Sequence, residues 1–506
     1  MKNIVVVGGG TAGLLSALYI DKMFPDDNVI VIESSKIGIV GVGESTTPFI
    51  TQFFKMIDVD LKDLIKNVSC TLRNGLKLTN WSEDGSSFYH YFMPYDFFDF
   101  NKNINYKDFD ERFPLNTIIT MANDEPLDKY NLNSILCELN KVSFNQETNE
   151  NYSKFGLHFN AQLLAKYLKT IAKERDIQIV DAEIEKINSN SNGFIESLVL
   201  SNEMTIRTDF VVDATGSNRF FIGDHFKSEW ISYRDSLPAD KAIPFFLESE
   251  KDNIKPYTEA IAMDYGWMWI TPLQDRIGAG YVFDSSYITV DQAKAEVENY
   301  LGKEIKINKI LDFDPGTYKE VWVKNCLAVG LAAGFNEPME ATSIYQVMHS
   351  LINSFSYYDK IFKYDEEFVK DFNEQRLWES NKLAGFLYLI YMTDKTNNDF
   401  WKNFTNNNKM PDHLRKVIDI SNNQLLQDKD TGVFFVGAND YYIMMYSKKM
   451  LNIDIVKSAY RENGWDSLYG KFKEQSERDI NRAISCMPHT HFLSNVDDII
   501  MTGEYK

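Results

Sequence analysis

Gly8-Gly9-Gly10-Thr11-Ala12-Gly13 is a phosphate-cradling sequence, set between the apolar run Asn3 to Val7 and the helix-compatible stretch Leu14 to Phe24. In that setting the glycines have separate uses. Gly8 permits the tight turn, Gly10 lets a backbone approach a pyrophosphate, and Gly13 lets the helix lie close to the strand. Thr11 and Ala12 stand at the helix start, where free N–H groups and the helix dipole favour negative charge. A second apolar run, Val29 to Ile32, ends in Glu33. A carboxylate there accepts hydrogen bonds from ribose hydroxyls and repels a 2'-phosphate. Strand, loop, helix and acid together read as an adenine-dinucleotide site, which a glycine triplet alone would not support.

Further chemistry-bearing residues follow at intervals. Ile37 to Pro48 is a glycine-punctuated loop in which Gly43, Glu44, Ser45 and Thr46 suit close wrapping of a planar ligand with polar contacts. Thr71 to Trp81 alternates as one strand, with Arg73, Gly75, Lys77 and Thr79 on a single face. Arg73 and Lys77 would then stand about 13 Å apart at strand rise. Thr205 to Val212 reads as a strand running into Asp213-Ala214-Thr215-Gly216, a second approach to the dinucleotide through Asp213 and Gly216. Trp267 and Trp269, two apart on a strand, point the same way, as core residues or as the wall of a pocket. Thr342 and Ser343 sit where the glycine-rich loop from Gly330 meets a helix, so they fit an anion site or an ordinary helix cap, and Glu340 fits a capping acid.

The elements that must hold these residues are those of an α/β chain. With 506 residues, 44% of them apolar, it can bury a large core and divide into two or three units. Lys plus Arg is 53 against 73 Asp plus Glu, a net charge of -20, which disfavours nucleic acid and anionic membranes. Cys70, Cys137, Cys326 and Cys486 are isolated, with no metal-ligand spacing, and read as reduced cytosolic thiols. No metal centre, leader or membrane span is expected, and the compartment is read as cytoplasmic. Phe159 to Arg175 has the period of an amphipathic helix. Strands are expected at Ile177 to Val180, Ile184 to Ile187, Ile195 to Leu200 and Trp322 to Val329. An antiparallel sheet is expected from Pro244 to Glu248, Tyr257 to Met263, Trp267 to Thr271 and Ile277 to Phe283. A helix is expected from Thr342 to about Asp359, and Glu366 to Met392 and Tyr460 to Ala483 are expected to be largely helical.

GGGTAG at Gly8, VGESTTP at Val42, Trp267-Met268-Trp269 followed by Pro272, and GLAAGFNEPMEATSIY at Gly330 resemble, in order and spacing, the flavin-dependent halogenases of the tryptophan-halogenase type. The likeness runs from residue 1 to about 355 and weakens beyond. It implies an FAD-binding Rossmann-like fold (GR2-type) with a covering β-sheet and a mainly helical C-terminal substrate region. The FAD and halide domain would be 1–355, with a loop-rich insertion at about 82–150 and the covering sheet at about 240–290. A substrate-region module would occupy 356–506, with Tyr441, Tyr442 and Tyr446 at a substrate entrance.

In such enzymes reduced FAD activates oxygen, a halide held beside the ring is oxidised, and hypohalous acid passes to the substrate guided by a lysine. The resemblance makes Thr342 and Ser343 the halide site, sets Leu331 and Ile344 against the flavin, and makes Glu340 the catalytic glutamate. Arg73 falls at the lysine position when Trp81 and GSSFYHYF are aligned without a gap. Arginine stays protonated and is a poor nucleophile, so it can steer hypohalite but not form a haloamine with it. That favours bromide or iodide over chloride and an electron-rich aromatic or indole-like substrate. Lys77 is the other candidate cation. With no second glycine loop for a nicotinamide cofactor, a separate flavin reductase is expected to supply reduced FAD. An FAD-dependent monooxygenase of the same fold and a non-catalytic flavin-binding protein are the competing readings.

Overall fold

Ile4 to Val7, Val29 to Ile32 and Phe210 to Val212 are apolar on both faces, as parallel strands covered by helices must be. They form the middle of a six-stranded sheet with the order Trp322–Val323, Cys326–Ala328, Phe210–Asp213, Asn3–Val7, Asn28–Glu33, Gln178–Asp181. Its neighbours run parallel except for the outermost pair. The helix Thr11–Met23 is buried on every side from Gly13 to Ile20, and it packs against the helices Ala161–Glu174 and Thr342–Phe355. The mixed α/β architecture and the parallel dinucleotide-type sheet are those expected from the sequence.

The computed structural model describes residues 1–38, 41, 43–104, 109–432 and 436–499. Ile39, Val40 and Val42 of the second glycine loop lie outside the described residues. Contacts gather the chain into two compact units. The first comprises Met1–Cys70, Phe159–Tyr233 and Asp314–Ser380, and the second Thr71–His158, Arg234–Phe313 and Asn381–Lys506. The units interleave along the chain.

In the first unit, the expected strand Thr205 to Val212 is two strands. Thr205–Arg207 completes an antiparallel meander with Ile184–Ser189 and Ile195–Leu200, while Phe210–Asp213 enters the parallel sheet. The break follows from side chains that bond backbone. Thr208 Oγ1 donates to Phe210 O at 2.7 Å, and the Asp209 carboxylate accepts from Asn3 N at 2.8 Å. Trp322 to Val329 is likewise a short hairpin, turned at Lys324 with φ +54. The helix from Thr342 ends at Phe355, and a short second helix, Tyr358–Phe362, follows.

The second unit is built on a seven-stranded sheet with the order Leu311–Asp312, Lys241–Glu248, Arg276–Phe283, Gly266–Pro272, Tyr257–Met263, Gly75–Thr79, Ser87–Tyr91. The expected antiparallel strands are all present, and the one parallel pair joins Gly75–Thr79 to Tyr257–Met263. The helix Val290–Leu301 packs on Arg276–Phe283, its Ala293 and Val297 entering a core with Met268, Tyr281 and Phe283. The C-terminal part of the unit is mainly helical. Tyr460 to Ala483 is largely helical, as expected, with the helices Ile453–Glu462 and Tyr469–Ser485 separated at Gly464, whose φ of +66 suits glycine. No helix among the described residues is long and apolar enough to cross a membrane.

Candidate functional site

The first unit holds the residues expected to bind the dinucleotide. A Cβ on Gly8, at φ +127, would lie 2.2 Å from Ala214 O, and one on Gly13 would lie 1.9 Å from Gly8 O. These two glycines are therefore demanded by backbone approach inside the protein itself. A Cβ on Gly10 would meet nothing within 4 Å. The helix Thr11–Met23 starts at Gly10 with no side-chain cap, leaving the N–H groups of its first turn to an outside acceptor. Glu33 ends its strand beside this loop, since a Cβ on Gly9 would lie 2.0 Å from Glu33 Oε2. Its other oxygen accepts from Lys169 Nζ at 2.6 Å. An uncapped helix start, an open backbone at Gly10 and a carboxylate at the strand end fit the pyrophosphate and ribose of FAD.

The following loop leans on the helix Ala161–Glu174, where a Cβ on Gly41 would meet Ala161 Cβ at 2.4 Å. Gly43 has φ +134, Glu44 and Ser45 are half-buried, and Thr46 is buried. Burial pushes the Glu44 carboxyl up to about 7.

Asp213 is fully buried, and its carboxylate accepts from Thr215 N, Thr215 Oγ1, Phe221 N and Ile222 N at 2.6 to 3.2 Å. Both oxygens accept hydrogen bonds within the protein, so Asp213 shapes the Thr215–Gly216 turn. Burial still leaves its pKa raised, against those hydrogen bonds. The turn Gly216–Asn218 packs on Gly330–Ala332, whose Leu331 is half-buried. A Cβ on Gly330 would lie 3.1 Å from Ala12 Cβ and 3.5 Å from Val347 Cγ2. Gly330 thus joins the first glycine loop to the helix Thr342–Phe355.

That helix has an unusual start. Ala341, its N-cap, has φ +55 and ψ +34, a left-handed conformation that costs a non-glycine residue roughly 1 to 3 kcal/mol. It turns the chain sharply between Glu340, 8% exposed, and Thr342, 3% exposed. No side chain caps the helix, Ser343 is half-buried, and Ile344 is buried. A strained corner that sets a buried acid beside an uncapped helix start can hold an anion and a proton acceptor together.

In the second unit the expected single strand of Arg73 and Lys77 is broken at Asn74. Thr71–Arg73 pairs with Gly156–Phe159, and Gly75–Thr79 pairs with Tyr257–Met263 and Ser87–Tyr91. Asn74 changes the partner: its N–H donates to Pro256 O at 2.7 Å and its side-chain amide to Lys141 O at 3.0 Å. Gly75 follows because a Cβ there would lie 2.8 Å from His90 O. Arg73 is 1% exposed, with its guanidinium 5.1 Å from the centre of the Phe92 ring. Lys77 is half-buried against Tyr89 and Tyr257, at 5.5 and 5.8 Å from their ring centres. Trp267 and Trp269 do share a face, with ring centroids 6.2 Å apart. Tyr441 and Tyr442 are buried in the helix Ala438–Ser447, and Tyr442 Oη accepts from Leu426 N at 2.6 Å. Tyr446 Oη donates to Glu125 O at 3.3 Å.

Sequence reasoning missed several buried polar groups. His90 and Asp440 pair at 2.8 Å. His349 and Arg376 flank Glu379, whose burial would raise its carboxyl but which they hold below its ordinary value. His158 and His489 lie fully buried around the strand of Arg73. Lone histidines in apolar stretches carry no sequence signal for partners as distant as Leu72 and His489, 417 residues apart. Among the described residues, no group of three or more His, Cys, Asp or Glu side chains could hold a metal ion. All four cysteines are free and buried.

Comparison with known proteins gives one consistent result. The profile of the tryptophan halogenase family matches residues 3–459. A tryptophan 6-halogenase from Streptomyces toxytricini is 28% identical over 490 residues, covering 87% of this chain and 88% of that one. A 7-chloro-L-tryptophan 6-halogenase from Kutzneria sp. (strain 744) is 27% identical over 467 residues, covering 87% and 89%. Among solved structures, a tryptophan halogenase from Shewanella frigidimarina NCIMB 400 superposes with a TM-score of 0.87 over 98% of each chain, at 21% identity. A flavin-dependent halogenase from Brevundimonas sp. BAL3 does so at 0.83 and 25% identity, over 98% of this chain and 99% of that one.

Proposed function

The chain belongs to the tryptophan halogenase family, and from that premise we propose a two-component halogenase that acts on an electron-rich aromatic or indole-like substrate, with bromide or iodide preferred to chloride. As a member of the family it is a halogenating flavoenzyme of the oxidoreductase type that uses reduced FAD. A separate flavin reductase supplies that FAD. The indole ring in the names of the relatives supports the substrate class.

When bound, reduced FAD supplies the oxygen activation that oxidises halide. The residues of the first unit bind and orient. N–H groups of the turn at Gly10, Thr11, Ala12 and Gly13 take the pyrophosphate, and Glu33 takes the ribose. Gly43 to Thr46 wrap the ring, with Leu331 and Ile344 against it. Thr342 and Ser343 hold the halide at the uncapped helix start, and Glu340 orients the electrophile or accepts the proton of the carbon being halogenated. In the second unit Arg73 hydrogen-bonds hypohalite through two N–H groups without being consumed by it. Trp267 and Trp269 serve as a pocket wall. The FAD and halide role thus belongs to residues before 355, and substrate recognition draws on the helices beyond.

The observation that carries the reading is the Glu340–Ala341–Thr342 corner, where strained backbone joins a buried acid to a helix start that no side chain caps. Turnover with a flavin reductase, NADH, FAD and bromide over a panel of indoles and phenols tests it. Product carrying bromine in place of hydrogen is expected. Product carrying one added oxygen would make the protein a monooxygenase, and absence of oxygen uptake with reduced FAD would make it a binding protein.

A further inference from the structure

Arg73 ends a strand of only three residues, Thr71–Arg73, so the ladder alone fixes its backbone weakly. Two buried imidazoles add to that ladder. His489 Nε2 accepts from Leu72 N at 3.0 Å, and its Nδ1 lies 3.2 Å from Ile254 O. A carbonyl only accepts, so Nδ1 carries the proton and Nε2 the lone pair. The second imidazole obeys the same logic. Thr71 Oγ1 donates its proton to Pro272 O at 2.7 Å, so toward His158 Nδ1, 2.9 Å away, it accepts. His158 Nε2 then accepts from Thr258 Oγ1, also at 2.9 Å. The backbone donor at Leu72 thereby fixes His489 as the neutral Nδ1–H tautomer, and His158 in its neutral form is the same tautomer.

We infer that His489 and His158 are positioning residues for Arg73: His489 pins the Leu72 backbone, His158 ties the Thr71 side chain to that of Thr258, and as neutral imidazoles they leave the cluster's positive charge on the Arg73 guanidinium. A proton on His489 would turn N–H toward Leu72 N–H, and one on His158 would take away the acceptor of the Thr258 hydroxyl. It would also set a second cation beside Arg73, which already lowers the pKa of His158. Burial acts in the same direction, pushing His489 to about 4 and His158 well below its ordinary value. His489 lies beyond residue 459, where the family match ends. Its segment is nevertheless built in: Cys486–Pro488 pairs with Lys141–Asn145, and His489 N donates to Asn140 O at 2.9 Å. The C-terminal segment therefore sets the aim of a residue near the start of the second unit.

This inference rests on the reading of Arg73 as the guide for hypohalite, and the test separates the two. Halogenated product per oxygen consumed is measured for wild type, Arg73→Ala, His489→Ala, His489→Gln and Thr258→Val. His489→Ala should lose coupling at least about tenfold, because a small misplacement of a reacting group costs that much or more. Its oxygen consumption and FAD affinity should stay near wild type. His489→Gln, which restores an acceptor for Leu72 N, should recover most of the coupling. Thr258→Val, isosteric and without the donor to His158, should lose coupling as well and serves if His489→Ala does not fold. Coupling retained by Arg73→Ala would sink the functional reading; coupling lost by Arg73→Ala but kept by both His489→Ala and Thr258→Val would sink only the positioning role. Independently of turnover, proton–nitrogen spectra of protein labelled at its 7 histidines should show two Nδ1–H neutral rings at pH 7. Imidazolium or Nε2–H signals for His158 and His489 would overturn the inference.

Discussion

Lys77 and Trp269 lie on opposite faces of one sheet. Lys77 stands opposite Glu259 and Glu259 opposite Ile270, so Trp269, next along that strand, points the other way. Ala260, Trp269 and Gly280 line up on the far face. Thr71 Oγ1 reaches Pro272 O, and His158 bridges Thr71 to Thr258, which alternates with Glu259 and so shares the face of Trp269. The strand of Arg73 thus packs toward the tryptophan face, while Lys77 packs among Tyr89 and Tyr257.

The two candidate cations should therefore separate cleanly. Arg73→Ala should abolish substrate halogenation while oxygen consumption with reduced FAD continues, and Lys77→Ala should lose less than about threefold, within the usual range for a half-buried side chain away from the chemistry. An inactive Lys77→Ala beside a tolerated Arg73→Ala would reverse the assignment. The lack of a nucleophilic amine at position 73 predicts faster bromination than chlorination of a single substrate. Equal rates on an unactivated ring would count against an arginine guide.

Glu340→Gln keeps size and most hydrogen bonding but removes the base. Halogenation should fall at least about a hundredfold with FAD affinity nearly unchanged. Full turnover in the variant would make Glu340 a structural acid of the Ala341 corner.

Glu33 meets Lys169 in an ion pair that is partly open to solvent. The pair adds little to stability by itself. Glu33→Ala should weaken FAD binding by about 1 to 3 kcal/mol, the range for lost charge-assisted hydrogen bonds. Lys169→Met should change it much less. Fluorescence titration with FAD distinguishes these outcomes, and equal affinities for wild type and Glu33→Ala would refute the ribose contact.

The parts of this fold that were legible in the sequence are those governed by local rules. Gly8 and Gly13 were readable because only glycine tolerates the approach of Ala214 O and Gly8 O. Trp267 and Trp269 were readable as a pair because alternation fixes their faces. What stayed hidden depends on distant partners. Thr71 to Trp81 alternates correctly through Asn74, yet Asn74 bonds to Pro256 and Lys141 and redirects the strand. Asp213 sits at the expected strand end, but its carboxylate is taken by the turn that follows. His489 has no local pattern at all.

Trp269 needs Gly280. A Cβ on Gly280 would lie 2.1 Å from the outer carbon of the Trp269 indole, inside a sheet where neither can move freely. Gly280→Ala should destabilise the second unit by about 1 to 3 kcal/mol, as overpacking commonly does. Adding Trp269→Leu should recover part of that loss, measured by urea unfolding. Two effects that simply add would show that the clash is relieved elsewhere.

Lys448 should make stability depend on pH. It is 3% exposed at the end of the helix Ala438–Ser447, and its ammonium donates to Leu389 O at 2.9 Å and Ile390 O at 2.5 Å. Those carbonyls belong to the last turn of the helix Glu366–Tyr391, where intrahelical partners run out and the dipole is negative. Burial outweighs that attraction and lowers the lysine to about 7, from an ordinary 10.5. The sign follows from proton counts. Between these two values the unfolded chain carries a proton on Lys448 that the folded chain has released, so stability rises with pH across the window. Below pH 7 both states are protonated, and the full cost of the buried charge persists. Lys448→Met removes the titration while keeping most of the volume. The stability of wild type relative to Lys448→Met should be flat from pH 6 to 7 and then grow by about 2 kcal/mol by pH 9, since a fully separated proton is worth about 1.4 kcal/mol per pH unit. Urea unfolding of both proteins at four pH values measures it. A difference that stays constant from pH 6 to 9 would mean that the two carbonyls and the helix dipole hold the ammonium charged, and that Lys448 acts as a permanent cap on that helix.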